Sequence, residues 1–451
     1  MQGSSPPQSG AYNIVGAIDA AGWSGKQKIA LALCALAIIL DGFDNQILGF
    51  AIPGMMKEWG LERSSFAHVL ALGFLGMTIG TPIGGILGDR IGRKPTLVLS
   101  VMLFGVATAA SALANGIWEL SIYRTLGGVG MGGAIPAATT LIAEMTPARR
   151  RSLAVTLGLI CIPIGGLAGG LIASQLLPVY GWRSLFLVGG GAPFLVSFIL
   201  MAVLPESVQF LARKSGNADE VTRRLREIGC DVPAGATFID TSATKAERPS
   251  FRALFAGDMP RDTLALWGAF FFCLLPVYVI YAWTPTLLTN SGIEIARAST
   301  AVAIFNLGGI LGSLVTAFLI GKFGSRFALI LMLAGAVAAA VVLATLDLAA
   351  ISPMALMGSL FIEGFCILGV QVTLYALAAY VYPTEIRSTG VGATAGVGRV
   401  GAIISSYVGA AVAGLGSTNF FLAVGGCLAV SLLSLAIVRR HIPRSSELAA
   451  N

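Results

Sequence analysis

Long apolar runs recur from one end of the chain to the other, and they limit its fold more than any other feature. A run of about twenty apolar residues can cross the hydrocarbon core of a bilayer as one helix. Charged residues make up only 11% of the chain, against roughly a quarter in a soluble domain. We therefore predict an all-α membrane protein with twelve transmembrane helices, at residues 28–52, 65–87, 95–114, 117–143, 152–176, 183–204, 264–289, 299–320, 327–346, 352–380, 388–414 and 419–438.

One long polar stretch divides the predicted helices into two sets of six. The predicted parts are a cytoplasmic tail, a six-helix bundle, a cytoplasmic central loop with an amphipathic pattern at 218–228, a second six-helix bundle and a second cytoplasmic tail, at residues 1–25, 26–204, 205–262, 263–438 and 439–451. Residues 147–152 correspond to 383–388 at an offset of 236. A parallel repeat of six helices is typical of one transporter architecture, with the substrate site between the halves. Matches this short also arise by chance in a glycine-rich membrane chain.

The distribution of basic residues predicts the orientation. With the N-terminus in the cytoplasm, 23 of the 29 Lys and Arg residues fall on the cytoplasmic side and four on the other. Such an excess marks the cytoplasmic side of a membrane protein, so we expect both termini inside and no nucleic-acid partner. Residues 1–25 do not resemble a secretory signal, and the six cysteines have no paired spacing, which predicts free thiols without a disulfide framework or metal site.

The loop after the second predicted helix carries glycine, acidic and basic residues at a distinctive spacing, in Gly88-Asp89-Arg90-Ile-Gly92-Arg93-Lys94. It closely resembles the signature loop of the major facilitator superfamily. We predict a conformational latch in which Asp89 interacts with helix ends or with arginines across the interface between the halves. The alternative is an ordinary basic cytoplasmic loop. The predicted gating residues are Asp89, Arg90, Gly92, Arg93, Glu144 and Arg387.

Two aspartates lie near the middle of the first predicted helix. Asp41 and Asp44 are three residues apart, and this spacing puts both on one helical face. Two carboxylates so close in a poorly hydrated site cannot both ionise cheaply, so we expect at least one to hold a proton reversibly. The pair therefore predicts proton coupling. The alternative is that both carboxylates only satisfy contacts between helices.

Three further charges lie deep within predicted helices, away from the helix ends: Arg124, Glu363 and Arg399. Together with the aspartates they leave one carboxylate in excess, and we hypothesise that the transported proton neutralises it. An arginine facing the cavity could then bind an anionic substrate. Two structural alternatives remain: an Arg124 that snorkels or forms a structural ion pair, and a structural pair of Glu363 with Arg399.

Aromatic and amide side chains are expected around the cavity and suit a planar ligand with polar substituents. Trp283 could instead be an anchor at the membrane interface. The candidate substrate-binding residues are Asn45, Arg124, Tyr278, Tyr281, Trp283, Asn306, Glu363, Gln371, Tyr375 and Arg399.

Four motifs together resemble the aromatic acid:proton symporter family of the major facilitator superfamily: residues 41–44, 88–94, 204–207 and 382–399. The resemblance implies a major facilitator fold of two six-helix bundles and proton-driven uptake of benzoates into bacteria across the inner membrane. It also implies that Asp41 and Asp44 serve coupling, Asp89 and Arg93 the conformational cycle, and Arg124 and Arg399 charge balance or carboxylate binding. The corresponding loop of the second half, 321–326, keeps only the glycine and basic positions.

We accordingly predict a monomeric, proton-coupled importer of an aromatic carboxylate of the benzoate, hydroxybenzoate, protocatechuate or vanillate class, working by alternating access in the lipid bilayer. Its partners are the substrate and protons, and no cofactor is expected. The alternatives are a proton symporter for another organic acid or a sugar-like solute, an exporter of aromatics, and a non-transporting sensor. An enzyme is not expected, because no metal-ligand spacing, nucleophile elbow or phosphate loop is present.

Overall fold

The computed structural model describes residues 12–20, 23–214, 218–230, 232–233, 238–239, 251–348, 350–383 and 385–444. Most of both predicted tails, part of the central loop and Thr384 lie outside these residues. The long helices are α2 (Gly25–Trp59), α3 (Arg63–Arg90), α4 (Arg93–Ser111), α5 (Ile117–Met145), α6 (Ala148–Val203), α9 (Met259–Asn290), α10 (Ile295–Phe323), α11 (Ser325–Thr345), α12 (Pro353–Val381), α13 (Arg387–Gly414) and α14 (Ser417–Ile437).

These eleven helices of the described chain are all long and apolar enough to cross a membrane. Helix α6 has 56 residues and is interrupted at Gly181, whose φ of 72° is left-handed. Glycine adopts this conformation at no steric cost, so α6 turns there and makes two crossings. The prediction of an all-α fold with twelve spans is confirmed.

The spans form two halves, α2–α6 and α9–α14. Within the first half, α3 packs against α5 and α2 against α6; within the second, α10 packs against α12 and α9 against α13. The halves meet along three helix pairs, α6 with α10, α3 with α13, and α2 with α9. The centre of the molecule is therefore lined by helices from both halves.

The bundle has two distinct ends, which we call the terminus-bearing end, where α2 begins and α14 ends, and the opposite end, where α2 ends and α3 begins. Contacts between the halves extend from mid-bundle to the opposite end. The His68 and Tyr407 rings are 5.3 Å apart there, and the Phe74 and Tyr278 rings 4.8 Å. In this structure the halves are closed against each other at the opposite end.

A small separate core covers part of the terminus-bearing end. It combines α1 (Ile14–Ala20) with α7 (Val208–Arg213) and α8 (Ala218–Glu227). Helix α8 coincides with the amphipathic pattern seen in the sequence. A two-residue parallel pairing of β1 (Tyr12–Asn13) with β2 (Phe238–Ile239) was not predicted, because strands this short leave no periodic signal.

Candidate functional site

A buried ion pair lies at the centre of the first half. Asp44 of α2 and Arg124 of α5 approach to 3.1 Å between Oδ1 and Nη1. A second guanidinium nitrogen donates to the Asp44 carbonyl at 3.2 Å, and the Thr108 hydroxyl of α4 donates to the carboxylate. Asp44 is fully buried and Arg124 is 4% exposed. Arg124 thus balances a carboxylate of its own chain, as in the alternative of a structural ion pair. Thr108 also takes part, and it was not among the predicted site residues.

Asp41 lies three residues from this pair in very different surroundings. It is fully buried, and neither carboxylate oxygen has a hydrogen-bond partner among the described residues. Its charged neighbours are Asp44 and Arg399. A buried carboxylate without a direct partner is costly when ionised, so of the two aspartates Asp41 is the one suited to carrying a proton.

Arg399 brings the second half to the same region. Its Nη1 donates to the Met77 carbonyl of α3 at 2.9 Å and to the Thr81 hydroxyl. Both acceptors are neutral, and none of the ion pairs among the described residues includes Arg399. The guanidinium is half-buried, so its charge is available to an anion.

Two of the predicted tyrosines lie near the Arg399 guanidinium, and a third packs against one of them. Arg399 is the charged neighbour of both Tyr278 and Tyr375, and Asn45 approaches the Tyr278 hydroxyl. Tyr281 stacks edge-on against Tyr278, with ring centroids 6.2 Å apart. Gln371 is half-buried on α12, one helical turn before Tyr375. The structure therefore collects a carboxylate, a cation, phenol groups and an amide around one region.

Asn306 has a different environment, because it pairs with a residue that sequence reasoning passed over. The side-chain amides of Asn306 and Gln46 exchange two hydrogen bonds, of 2.9 and 3.1 Å. Both side chains are buried, and they join α10 to α2 across the interface between the halves. The available signal was an amide only two residues beyond Asp44 in an apolar helix.

Glu363 and Trp283 also lie apart from Arg399. Both Glu363 oxygens are buried without a hydrogen-bond partner among the described residues. The alternative of a Glu363–Arg399 pair is not formed in this structure, since Arg399 bonds to α3 instead. Trp283 is fully buried and packs on Gly409 of α13. Its ring therefore lies inside the second half and does not serve as an interfacial anchor.

Three of the six predicted gating residues, Asp89, Arg93 and Glu144, form a cluster at the terminus-bearing end of the first half. Arg93 bonds to Asp89 at 2.9 Å and to Glu144 at 3.3 Å. Arg90 and Arg387 are exposed. In this structure Asp89 pairs with Arg93 of its own half, so the predicted contact across the interface is not the one recorded here.

Glu206 completes this cluster and was not predicted to take part. Its carboxylate accepts the backbone N–H of Arg93 at 3.0 Å and of Lys94 at 3.1 Å, which caps the first turn of α4. Burial raises the pKa of the Glu206 carboxyl, and hydrogen bonds from Ser207, Lys94 and Arg93 oppose that rise. Gly92, with a φ of 113°, makes the turn on which this contact depends.

A twelve-span bundle in two halves, with charged residues at its centre, has the architecture of a secondary transporter. The family model described as "Major Facilitator Superfamily" matches residues 34–406 and 266–450. The chain is 35% identical to the gallate transporter of Pseudomonas putida, over 91% of each chain. It is 36% identical to the 4-hydroxybenzoate transporter PcaK of the same organism, over 85% of this chain and 86% of the relative.

Solved structures show the same fold. The xylose transporter XylE from E. coli, in a partially occluded inward-open conformation, matches with a TM-score of 0.72 over 91% of this chain and 97% of that one. The sequence identity is 17%, so this likeness concerns the fold alone. The chain belongs to the major facilitator superfamily. It is a multi-pass membrane transporter, and the predictions of the family resemblance and of a non-enzyme are confirmed.

Proposed function

We propose that the protein imports an aromatic carboxylate together with protons. One observation at the centre of the molecule carries this proposal. Among the described residues, Asp41 is a buried carboxylate without a hydrogen-bond partner, and its charged neighbour Arg399 is a cation whose hydrogen bonds go to neutral acceptors. The names of the relatives, a gallate and a 4-hydroxybenzoate transporter, supply the substrate class.

Proton coupling follows from the charge balance around Arg399. While Asp41 is ionised, it competes with any incoming anion for the field of that guanidinium. A proton on Asp41 removes this competitor, so the substrate carboxylate takes over the role of counter-ion. Proton and substrate therefore favour each other's binding, which is the thermodynamic requirement for symport. Asp44 takes no part in the exchange, because Arg124 already balances its charge.

The ring of the substrate is accommodated by the aromatic residues of the second half. Tyr278 of α9 and Tyr375 of α12 both lie beside Arg399. An aromatic carboxylate with its acid group on Arg399 would place its ring among these phenols, and Asn45 and Gln371 would offer hydrogen bonds to ring hydroxyls. This arrangement favours a flat, hydroxylated ring over a flexible organic acid.

The same proposal places the protein in a bacterial inner membrane with both termini in the cytoplasm. The terminus-bearing end is then the cytoplasmic end, consistent with the excess of basic residues on that side. The closure between the halves at the opposite end corresponds to a state closed to the outside. We also propose that the monomer is the transporting unit, since one chain supplies every residue of the site.

The test is uptake of labelled 4-hydroxybenzoate, protocatechuate and vanillate into proteoliposomes, with and without an inward-directed proton gradient. We expect gradient-dependent uptake of at least one of them, and Arg399→Gln to raise its KM by about tenfold or more, as loss of a charge-assisted hydrogen bond implies. Arg297→Gln is the matched control, because Arg297 is exposed at the opposite end. Uptake of none of the three by folded protein would contradict the proposal.

A further inference from the structure

A second cavity lies in the first half, near the terminus-bearing end. Its volume is about 410 Å³, within the range of roughly 300–1,000 Å³ typical of small-molecule sites. It includes none of the central residues Asp41, Asp44, Arg124 and Arg399. Its walls are mainly apolar and come from three helices, α2, α5 and α6, with Leu31, Ala35, Ile142, Leu153, Leu157 and Cys161 among the lining residues.

The crossing of α2 and α6 explains why a cavity forms here. At Gly42 and Gly165 the two backbones touch, since an added Cβ would collide with Ile162 or Ile39 of the other helix. On the terminus-bearing side of this crossing the cavity lies between α2 and α6, and we call it the wedge. Along α2 the tight crossing lies between the wedge and Asp44.

The mouth of the wedge carries groups that can hold an anion. The Arg150 guanidinium lies 5.5 Å from the centroid of the Trp23 ring, and both residues line the cavity. The Trp23 indole N–H is buried and has no hydrogen-bond partner among the described residues. Arg149 and Arg151 flank Arg150 in the sequence. Asp19 accepts the Ala148 N–H at 2.6 Å and is thereby engaged in capping α6.

An apolar cavity is complementary to a small amphipathic carboxylate when its mouth carries a cation and an N–H donor that has no partner among the described residues. We propose that this wedge is a second binding site, in which the ring of an aromatic acid occupies the cavity and its carboxylate bonds to Arg150 and the Trp23 N–H. The geometry of the cavity carries the site itself, whereas the choice of an aromatic acid as its ligand rests on the proposed function. Because the mouth lies at the terminus-bearing end, the site fills from that side of the membrane.

Cys161 provides a direct readout, because this residue lines the cavity. The purified full-length protein is treated with a small thiol reagent with and without benzoate, and alkylation of Cys161 is followed by peptide mass spectrometry. We expect benzoate to slow this alkylation several-fold. Arg150→Gln should raise the benzoate concentration for half-protection by about tenfold or more. Arg149→Gln, which removes a neighbouring exposed charge, should leave that concentration unchanged.

Further variants separate this site from the central one. In Arg399→Gln, benzoate should still protect Cys161, because the wedge does not depend on the central arginine. Equal effects of Arg149→Gln and Arg150→Gln, or protection by oleate but not by benzoate, would overturn the proposal. Uptake without protection of Cys161 would refute the second site and leave the proposed function standing. Protection that depends on Arg150 in a protein that takes up no aromatic acid would support the second site and contradict the proposed function.

Discussion

Asp41 and Asp44 share one helical face but differ in what the rest of the fold places opposite them. Asp44 faces Arg124 and Thr108, which supply a cation and a hydrogen-bond donor. Asp41 has no such partner among the residues that the structure describes, and the cation that neighbours it, Arg399, bonds to backbone and hydroxyl oxygens of α3. At the scale of single residues, this difference is why we propose charge balance for Asp44 and reversible protonation for Asp41.

Removing the partner of Asp44 should destabilise the protein. Breaking a buried ion pair on one side typically costs about 3–5 kcal/mol, because it leaves an uncompensated charge. We therefore expect Arg124→Gln to lower the thermal unfolding temperature in detergent, and the double variant with Asp44→Asn to recover part of the loss. Arg90→Gln, at an exposed arginine, is the control. Equal stability of wild type and Arg124→Gln would show that the pair contributes nothing.

Sequence reasoning located the charged residues but could not pair them. Intramembrane charges are recognised by their contrast with apolar neighbours, and spacing places Asp41 and Asp44 on one face of one helix. Which helix lies opposite is decided by packing between distant segments. The sequence therefore left three roles for Arg124: binding the substrate anion, snorkelling, or forming a structural ion pair. Gln46 was missed for the same reason, since its significance depends on Asn306, 260 residues further along the chain.

At the scale of helices, the sequence predicted far more. Each apolar run corresponds to a span, because every backbone polar group in the bilayer must be satisfied within its own helix. The two parts that escaped prediction are the β1–β2 pairing and the core around α1 and α8. Both join segments more than 200 residues apart outside the bundle, where neither hydropathy nor periodicity gives a signal.

Close packing of α3 on α5 depends on glycine, and one substitution tests this. A Cβ at Gly80 would collide with the Val129 carbonyl, whereas one at Gly85 has no atom within 4 Å. Gly80→Ala must push the helices apart, and overpacking of this kind typically costs about 1–3 kcal/mol. We expect Gly80→Ala to lower the unfolding temperature and Gly85→Ala, in the same helix, to leave it unchanged. A larger decrease for Gly85→Ala than for Gly80→Ala would rule out this packing role of Gly80.

For the whole molecule, the contacts at the opposite end define one state of a cycle. Alternating access requires that the halves separate there and close at the terminus-bearing end. The buried amide pair of Gln46 and Asn306 must break in that movement, because its two residues belong to different halves. The pair therefore stabilises the state seen here, and weakening it should shift the population toward the other state.

This shift can be measured by labelling at the opposite end. Ser299 is fully buried and lies against Gly170 of the other half. In a Ser299→Cys protein, we expect Gln46→Leu to speed modification of the new cysteine by a membrane-impermeant thiol reagent, as followed by peptide mass spectrometry. An Arg297→Cys protein, labelled at an exposed position, should show no such change. An unchanged rate at position 299 would mean that the amide pair does not hold the halves together.

If Asp41 carries the coupling proton, an Asp41→Asn variant should separate substrate movement from the proton gradient in proteoliposomes. The neutral side chain mimics the protonated state, so binding and exchange of labelled 4-hydroxybenzoate across the membrane should persist. Accumulation driven by an inward-directed proton gradient should be lost, because no proton is released on the far side. Gradient-driven accumulation by Asp41→Asn at the wild-type level would rule out Asp41 as the proton carrier and move the coupling proton to another carboxylate.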